Sequence, residues 1–114
     1  MVSRRQELGA EGEARVADHY EARGYTLLER NWRCRDGELD LVLRTGRTLV
    51  ICEVKTRSSA AFGTPAEAVT RAKQAKLRLL ARHYLDTAPF RPRTIRFDVA
   101  AILAGQIEII EAAF

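Results

Sequence analysis

Two apolar runs, Gly37 to Val42 and Val50 to Lys55, hold three charged residues, Asp40, Glu53 and Lys55. Strand interiors tolerate charge only where something pairs with it or uses it. Any fold open to this chain must therefore bring those side chains to a compensating partner. Residues 38–43 and 48–56 read as strands joined by a short reversal at Thr45-Gly46, a hairpin. Alternation along a strand predicts Leu39, Leu41 and Leu43 on one face and Glu38, Asp40 and Val42 on the other. A two-residue loop at Thr45-Gly46 sets Arg44 opposite Arg47, Val42 opposite Leu49, Asp40 opposite Ile51 and Glu38 opposite Glu53. Asp40, Glu53 and Lys55 then share a face. Asp40 and Glu53 become diagonal neighbours, about 7–8 Å apart at the backbone. This depends on register, because a slip of one residue turns a strand's side chains to the other face.

The flanking sequence supplies two helices and three more strands. Residues 3–23 read as a helix, with Ser3 and Gln6 as a capping box and Gly24 as its stop. Gly9, Gly12, Glu13, Val16, Ala17 and Tyr20 fall on one face. The two glycines cost roughly 1 kcal/mol each in helix propensity, which suggests a close approach by backbone or ligand. Glu13 on this stripe either pairs with an arginine at its edge or serves a site. Residues 25–34 form a first strand, followed by an Asp36-Gly37 turn. After a small-residue loop, Ser58 to Gly63, the segment Thr64-Pro65-Ala66-Glu67 reads as a helix start with Glu67 in a capping role. That helix runs to about residue 86, with Val69, Lys73, Leu77, Leu80 and Tyr84 as its stripe and Ala72 and Ala81 beside it. Lys73 interrupts the stripe, either snorkelling its stem along the core or aiming its ammonium at phosphate. A turn at Pro89 to Pro92 leads to strands at 94–103 and 106–110. Asp98 and Arg96 share a face, as an ion pair at a sheet edge would.

The length of 114 residues suits one domain with its own core. No run approaches the roughly 18 apolar residues of a membrane helix, and the N-terminus lacks a signal-peptide core. A cytoplasmic location and no membrane partner are the expectation. Cys34 and Cys52 are too few and too dispersed for a zinc site and read as reduced, space-filling residues. His19 and His83 lack partners at ligand spacing. The net charge of +4 and a pI of about 9.5 suit a polyanionic partner. Arg71, Lys73, Lys76, Arg78 and Arg82 gather on the second helix, with Arg91, Arg93 and Arg96 after it. A solvated helix face accounts for the same charge.

Two ionised carboxylates about 4 Å apart repel by roughly 4 kcal/mol at an effective dielectric of 20. A divalent cation between Asp40 and Glu53 removes that cost, and oxygen ligands suit Mg2+ or Mn2+. The Val54 carbonyl lies near enough to be a further metal ligand. Lys55, two residues from Glu53 on the same face, can hold an attacking water or neutralise a pentavalent phosphate. An acid, an acid and a lysine so placed form a phosphodiesterase site. The competing account is a Glu53–Lys55 salt bridge on an exposed sheet face.

The pattern of Asp40 followed by Glu53-Val54-Lys55 resembles the PD-(D/E)xK nuclease superfamily, which includes type II restriction enzymes and archaeal Holliday-junction resolvases. Some members have proline before the first acid, where this chain has Leu39. Glu13 matches the glutamate that members often add from the first helix. More specifically, the chain resembles the small YraN-like family of predicted bacterial endonucleases. The matching stretches are Gly12-Glu13, Gly37-Glu38-Leu39-Asp40-Leu41-Val42, Glu53-Val54-Lys55-Thr56-Arg57, Pro65 to Val69 with Lys73, and Arg96-Phe97-Asp98-Val99. The resemblance implies an α/β, restriction endonuclease-like α-β-β-β-α-β-β core, its mixed central sheet flanked by the helices. It implies Mg2+ or Mn2+ at Asp40 and Glu53, with Glu13 assisting directly or through water and Lys55 positioning the nucleophile. Arg57, Arg71, Lys73 and Lys76 would bind the phosphates of nucleic acid, DNA favoured, including branched or junction DNA by analogy with resolvases. A homodimer is implied in the same way. The alternatives are a nucleic-acid-binding module that keeps the fold without turnover, and RNA as substrate.

Overall fold

A computed structural model describes residues 4–57 and 69–114. The elements in chain order are α1 (Arg4–Ala22), β1 (Thr26–Cys34), β2 (Gly37–Thr45), β3 (Thr48–Arg57), α2 (Arg71–Thr87), β4 (Thr94–Leu103) and β5 (Gln106–Ile110). The order of helices and strands is the expected one. The five strands form one sheet in the order β1-β2-β3-β4-β5. Neighbours pair antiparallel except β3 with β4, which are parallel, so the sheet is mixed.

Each helix covers one face of the sheet. Val16, Ala17 and Tyr20 of α1 pack on Leu41, Leu43, Val50, Cys52, Ala100 and Ile102. Leu77, Leu80, Ala81 and Tyr84 of α2 pack on Leu39, Val42, Leu49, Ile51, Phe97 and Val99. Each fully buried leucine or isoleucine contributes roughly 1.5–3 kcal/mol. The β3 strand alternates between the two cores, which explains its nearly unbroken apolar run. Cys52 is buried in the α1-side core, and Cys34 packs against the other. Gly12 meets the expectation of a close approach. A Cβ there would lie 2.7 Å from the Thr56 hydroxyl and 3.0 Å from Ile102, whereas one at Gly9 would meet nothing within 4 Å.

Several sequence expectations need correction. The hairpin loop is Gly46-Arg47, not Thr45-Gly46, so Thr45 faces Thr48, Arg44 faces Leu49 and Val42 faces Ile51. Gly46, with φ of 57°, takes the first central position of the turn, where a two-residue hairpin needs positive φ. The shift is two residues, so by itself it turns no side chain to the other face and changes only the opposing partners. Leu39 does not share a face with Leu41 and Leu43, since it packs in the α2-side core and they pack in the α1-side core. Alternation breaks between them, at Asp40. Across on β1, Arg30 pairs with Leu41 and Trp32 with Leu39, and the intervening Asn31 has φ of 55°. Asparagine tolerates this left-handed conformation better than most residues. Both strands therefore change facing at the same level.

The second helix begins later than expected. Thr70 caps it, with extended backbone and a side chain that accepts from the Lys73 N–H at 3.1 Å. A helix continuous from Pro65 is excluded because Val69 and Thr70 are not helical. The expected Ser3 and Gln6 cap contacts, the Ser58 to Gly63 loop and the Thr64 to Glu67 cap lie outside the described residues. Ala72 is exposed rather than beside the buried stripe.

Asp98 is not at a sheet edge, because β4 lies between β3 and β5. It is 1% exposed and accepts hydrogen bonds from Arg96 Nε at 2.9 Å and Nη2 at 2.8 Å, Tyr20 Oη at 2.7 Å and the Ala112 N–H at 3.0 Å. This network ties α1, β4 and the chain after β5 together. A paired buried charge is costly to break from one side. Asp98→Ala is therefore expected to destabilise the fold by about 3 kcal/mol, measured by urea unfolding.

Candidate active site

Where β2 turns its facing, its pairing with β3 also ends, at Leu41 opposite Cys52. The next residue of β2, Asp40, uses its side chain instead of its backbone. Its Oδ2 accepts the Val54 N–H at 2.9 Å. That bond anchors the carboxylate against β3, one step along from Glu53. The two acids are thus opposite one another at the end of the ladder, not diagonal across a regular one. Bulges and alternation breaks recur beside active sites because they re-aim a side chain.

Asp40, Glu53, Glu13, Gly9, Gly12, Val54, Thr56, Arg57 and Arg15 line one cavity of about 750 Å³ between the first half of α1 and the far end of β3. The missing side chains of Gly9 and Gly12 keep the helix wall of this cavity open. Glu53 is 6% exposed, and among the described residues its Oε2 has no hydrogen-bond partner. Lys73 Nζ lies 3.6 Å and Lys55 Nζ 3.9 Å from its other oxygen, Oε1. Both distances exceed the 2.7–2.9 Å typical of charge-assisted hydrogen bonds. The lysines flank Glu53 without clamping it. Burial, then the Asp40 charge, push the Glu53 carboxyl up to about 7, against the opposing pull of Lys73 and Lys55.

Glu13 faces the same cavity. It pairs with Arg30 at 3.9 Å, the arginine contact expected for the edge of the stripe. Burial first, then the Asp40 charge, also raise its pKa, while a hydrogen bond with Asn31 and the Arg30 charge pull it down. Arg30 donates to the Ala10 carbonyl at 2.6 Å as well, which holds α1 at the level of the alternation break. Asn31 and Arg30 were not singled out from sequence. Their one visible signal is a polar Arg30-Asn31 pair inside a strand.

The structure thus brings Glu13, Asp40 and Glu53 to one cavity and sets Lys55 and Lys73 beside Glu53. Lys73 reaches from the first turn of α2 towards the acid while its side chain stays partly exposed. Arg57 lines the cavity. Arg71 and Lys76 are exposed on α2, and among the described residues no ion pair joins them to the acids. Among the described residues no three histidine, cysteine, aspartate or glutamate side chains stand close enough to form a complete metal-ligand set. Two facing carboxylates with an unpartnered oxygen nevertheless fit a hard cation that keeps several of its waters.

The titration of Glu53 has a sign that can be tested. Its folded value of about 7 lies above the ordinary 4.5. Between these values the folded chain keeps a proton that the unfolded chain has released, so stability falls as pH rises through that window. Glu53→Gln is expected to remove this decline and to be more stable than wild type near pH 8. Urea unfolding at about pH 5 and pH 8, without divalent cations, measures it.

A family model described as "Uncharacterised protein family UPF0102" matches residues 12–102, which include all five residues of this cluster. Among similar proteins, a UPF0102 protein of Clavibacter michiganensis subsp. michiganensis is 47% identical, covering 98% of this chain and 99% of its own length. One from Nocardioides sp. is 54% identical over 87% of this chain and 80% of its own. One from Saccharophagus degradans is 45% identical over 99% of this chain and 97% of its own.

Proposed function

The chain belongs to the uncharacterised protein family UPF0102, the YraN family that its motifs resembled, and we propose that it is a metal-dependent endonuclease hydrolysing phosphodiester bonds of DNA. The observation that carries this is Glu53 Oε2, a buried carboxylate oxygen without a partner among the described residues, facing Asp40 in an open cavity. Buried polar atoms are nearly always satisfied, and an exception calls for an ion, a water or a catalytic role. Asp40 and Glu53 would hold Mg2+ or Mn2+, with the Val54 carbonyl as a further oxygen ligand and Glu13 acting directly or through water. A cation bound there lowers the pKa of a water and stabilises charge on a phosphoryl oxygen.

The chain's own groups account for the rest. Asp40 is held in place by the Val54 N–H, so its orientation costs nothing at the moment of reaction. Lys55 places the attacking water and offsets charge on the phosphate. Lys73 offsets part of the Glu53 charge and would serve the substrate phosphate where a cation is held by the acids. Arg57, with the exposed Arg71 and Lys76, binds phosphates on either side. Branched or junction DNA and a homodimer rest on analogy with resolvases of this fold alone.

One observation favours a second account. Two lysines already stand near Glu53 and offset part of its charge, which suits a nucleic-acid-binding module without turnover. Plasmid, linear, junction and RNA substrates with Mg2+ or Mn2+ separate the two. Cleavage is expected with the metal, and Asp40→Asn or Glu53→Gln should each lower it by about 100-fold or more. Unchanged cleavage in both variants would refute the site. Mn2+ is also expected to raise the wild-type melting temperature and to leave that of Glu53→Gln unmoved, a readout independent of turnover.

A further inference from the structure

A second cavity, of about 360 Å³, lies at the opposite end of the β2–β3 hairpin and is lined by Arg44, Arg47, Pro89, Phe90 and Arg91. Arg44 lies near the end of β2 and Arg47 in the hairpin loop itself, and Arg91 reaches it from the loop after α2. Arg93 is tied to the same place, its N–H donating to the Arg47 carbonyl at 2.8 Å. All four arginines are exposed. Among the described residues none of them has a carboxylate partner. Three bond main-chain carbonyls instead. Arg44 Nε donates to Gly46 at 3.0 Å, Arg47 Nη2 to Arg91 at 3.2 Å and Arg91 Nη1 to Ala88 at 2.6 Å. The Arg44 guanidinium also lies 4.1 Å from the centre of the Phe90 ring. These contacts orient the guanidinium groups without cancelling their charge. A guanidinium carries five N–H donors in a fixed fork that matches phosphate, and most of those donors are left over here.

This cavity is placed to share a ligand with the proposed active site. Arg47, just before β3, precedes Glu53 by about 20 Å at the rise of an extended strand. The helix α2 spans the same interval, from Lys73 beside Glu53 to Ala88 at its end, where the Phe90 loop begins. Lys76 and Arg82 are exposed along it. We propose that Arg44, Arg47 and Arg91 form a second phosphate-binding site that takes the backbone of a DNA duplex about six base pairs from the cavity holding Asp40 and Glu53. The inference rests on the nuclease proposal for the identity of the polyanion. The arginine cavity itself does not depend on turnover.

The test is fluorescence anisotropy of the full chain in EDTA, with a duplex of about 24 base pairs and a hairpin whose stem is about five. Arg44→Glu combined with Arg47→Glu changes two exposed side chains and should leave the melting temperature near that of wild type. The double variant is expected to bind the long duplex about tenfold more weakly, with the salt slope reduced by about two. Its affinity for the short hairpin should match wild type. Unchanged binding of the long duplex overturns the proposal, as does an equal loss on both probes, which marks general electrostatics. A rise in melting temperature with inorganic phosphate, lost in the double variant and without any effect of duplex length, assigns the cavity to a free anion and also overturns it. Cleavage is scored separately with Mg2+ or Mn2+. Length-dependent binding through the arginines without cleavage refutes the nuclease proposal and leaves this site standing, whereas cleavage with unchanged binding in the double variant does the reverse.

Discussion

The bond from the Val54 N–H to Asp40 Oδ2 is the contact on which the arrangement of this molecule turns. It stands where the β2–β3 ladder stops, in place of the next backbone pairing. A main-chain donor at that depth has to be satisfied, and here a carboxylate does it. The same position is where β2 changes facing, opposite the left-handed Asn31 of β1. The break frees Asp40 from the dense packing that claims Leu39 on one side and Leu41 on the other. A regular strand would have pressed Asp40 into a core. The irregular one opens it towards α1 and Glu13.

Around that anchor the charges are deliberately underpaired. Glu53 is buried, faces another acid and has one oxygen without a partner among the described residues, while two lysines stand near the other oxygen at distances too long for tight bonds. Elsewhere the same sheet shows what a satisfied buried acid looks like. Asp98 is as deeply buried as Glu53, yet both its oxygens accept from Arg96, with Tyr20 and the Ala112 N–H completing the set. The contrast within one fold is informative. The chain can satisfy a buried carboxylate fully, and at Glu53 it does not. Desolvation without compensation is the usual way a site is poised for a ligand or a proton.

The two helices divide the remaining work. On α1, Gly12 lets the helix settle against Thr56 and Ile102, which brings Glu13 to the cavity. On α2, an apolar stripe fixes the helix to the other face, and Lys73 in its first turn reaches the acid across the end of β3. Its C-terminal end leads into the arginine-lined cavity at the far end of the hairpin. Basic residues exposed along α2 and at the hairpin turn therefore lie between the acids and that cavity.

Much of this was legible in the sequence, because local periodicity and turn chemistry act over a few residues. The order of elements, the apolar stripes of both helices, and Asp40, Glu53 and Lys55 as charges within strands all follow from residue type and spacing. Alternation placed Glu53 and Lys55 correctly even with the hairpin loop misassigned, since a two-residue shift preserves facing. Three things were decided by tertiary structure. The break at Asp40 needs a second irregular strand beside it, and no local pattern in β2 announces one. Asp98 is buried instead of lying at an edge because β5 closes over β4, a matter of sheet order that residue spacing does not encode. Lys73 meets Glu53 because α2 lies against the end of β3, a contact between segments far apart in the chain. Sequence specifies which groups carry charge and which face of an element they occupy. Which charges meet, and which stay unpaired, depends on long-range packing that only the folded chain settles.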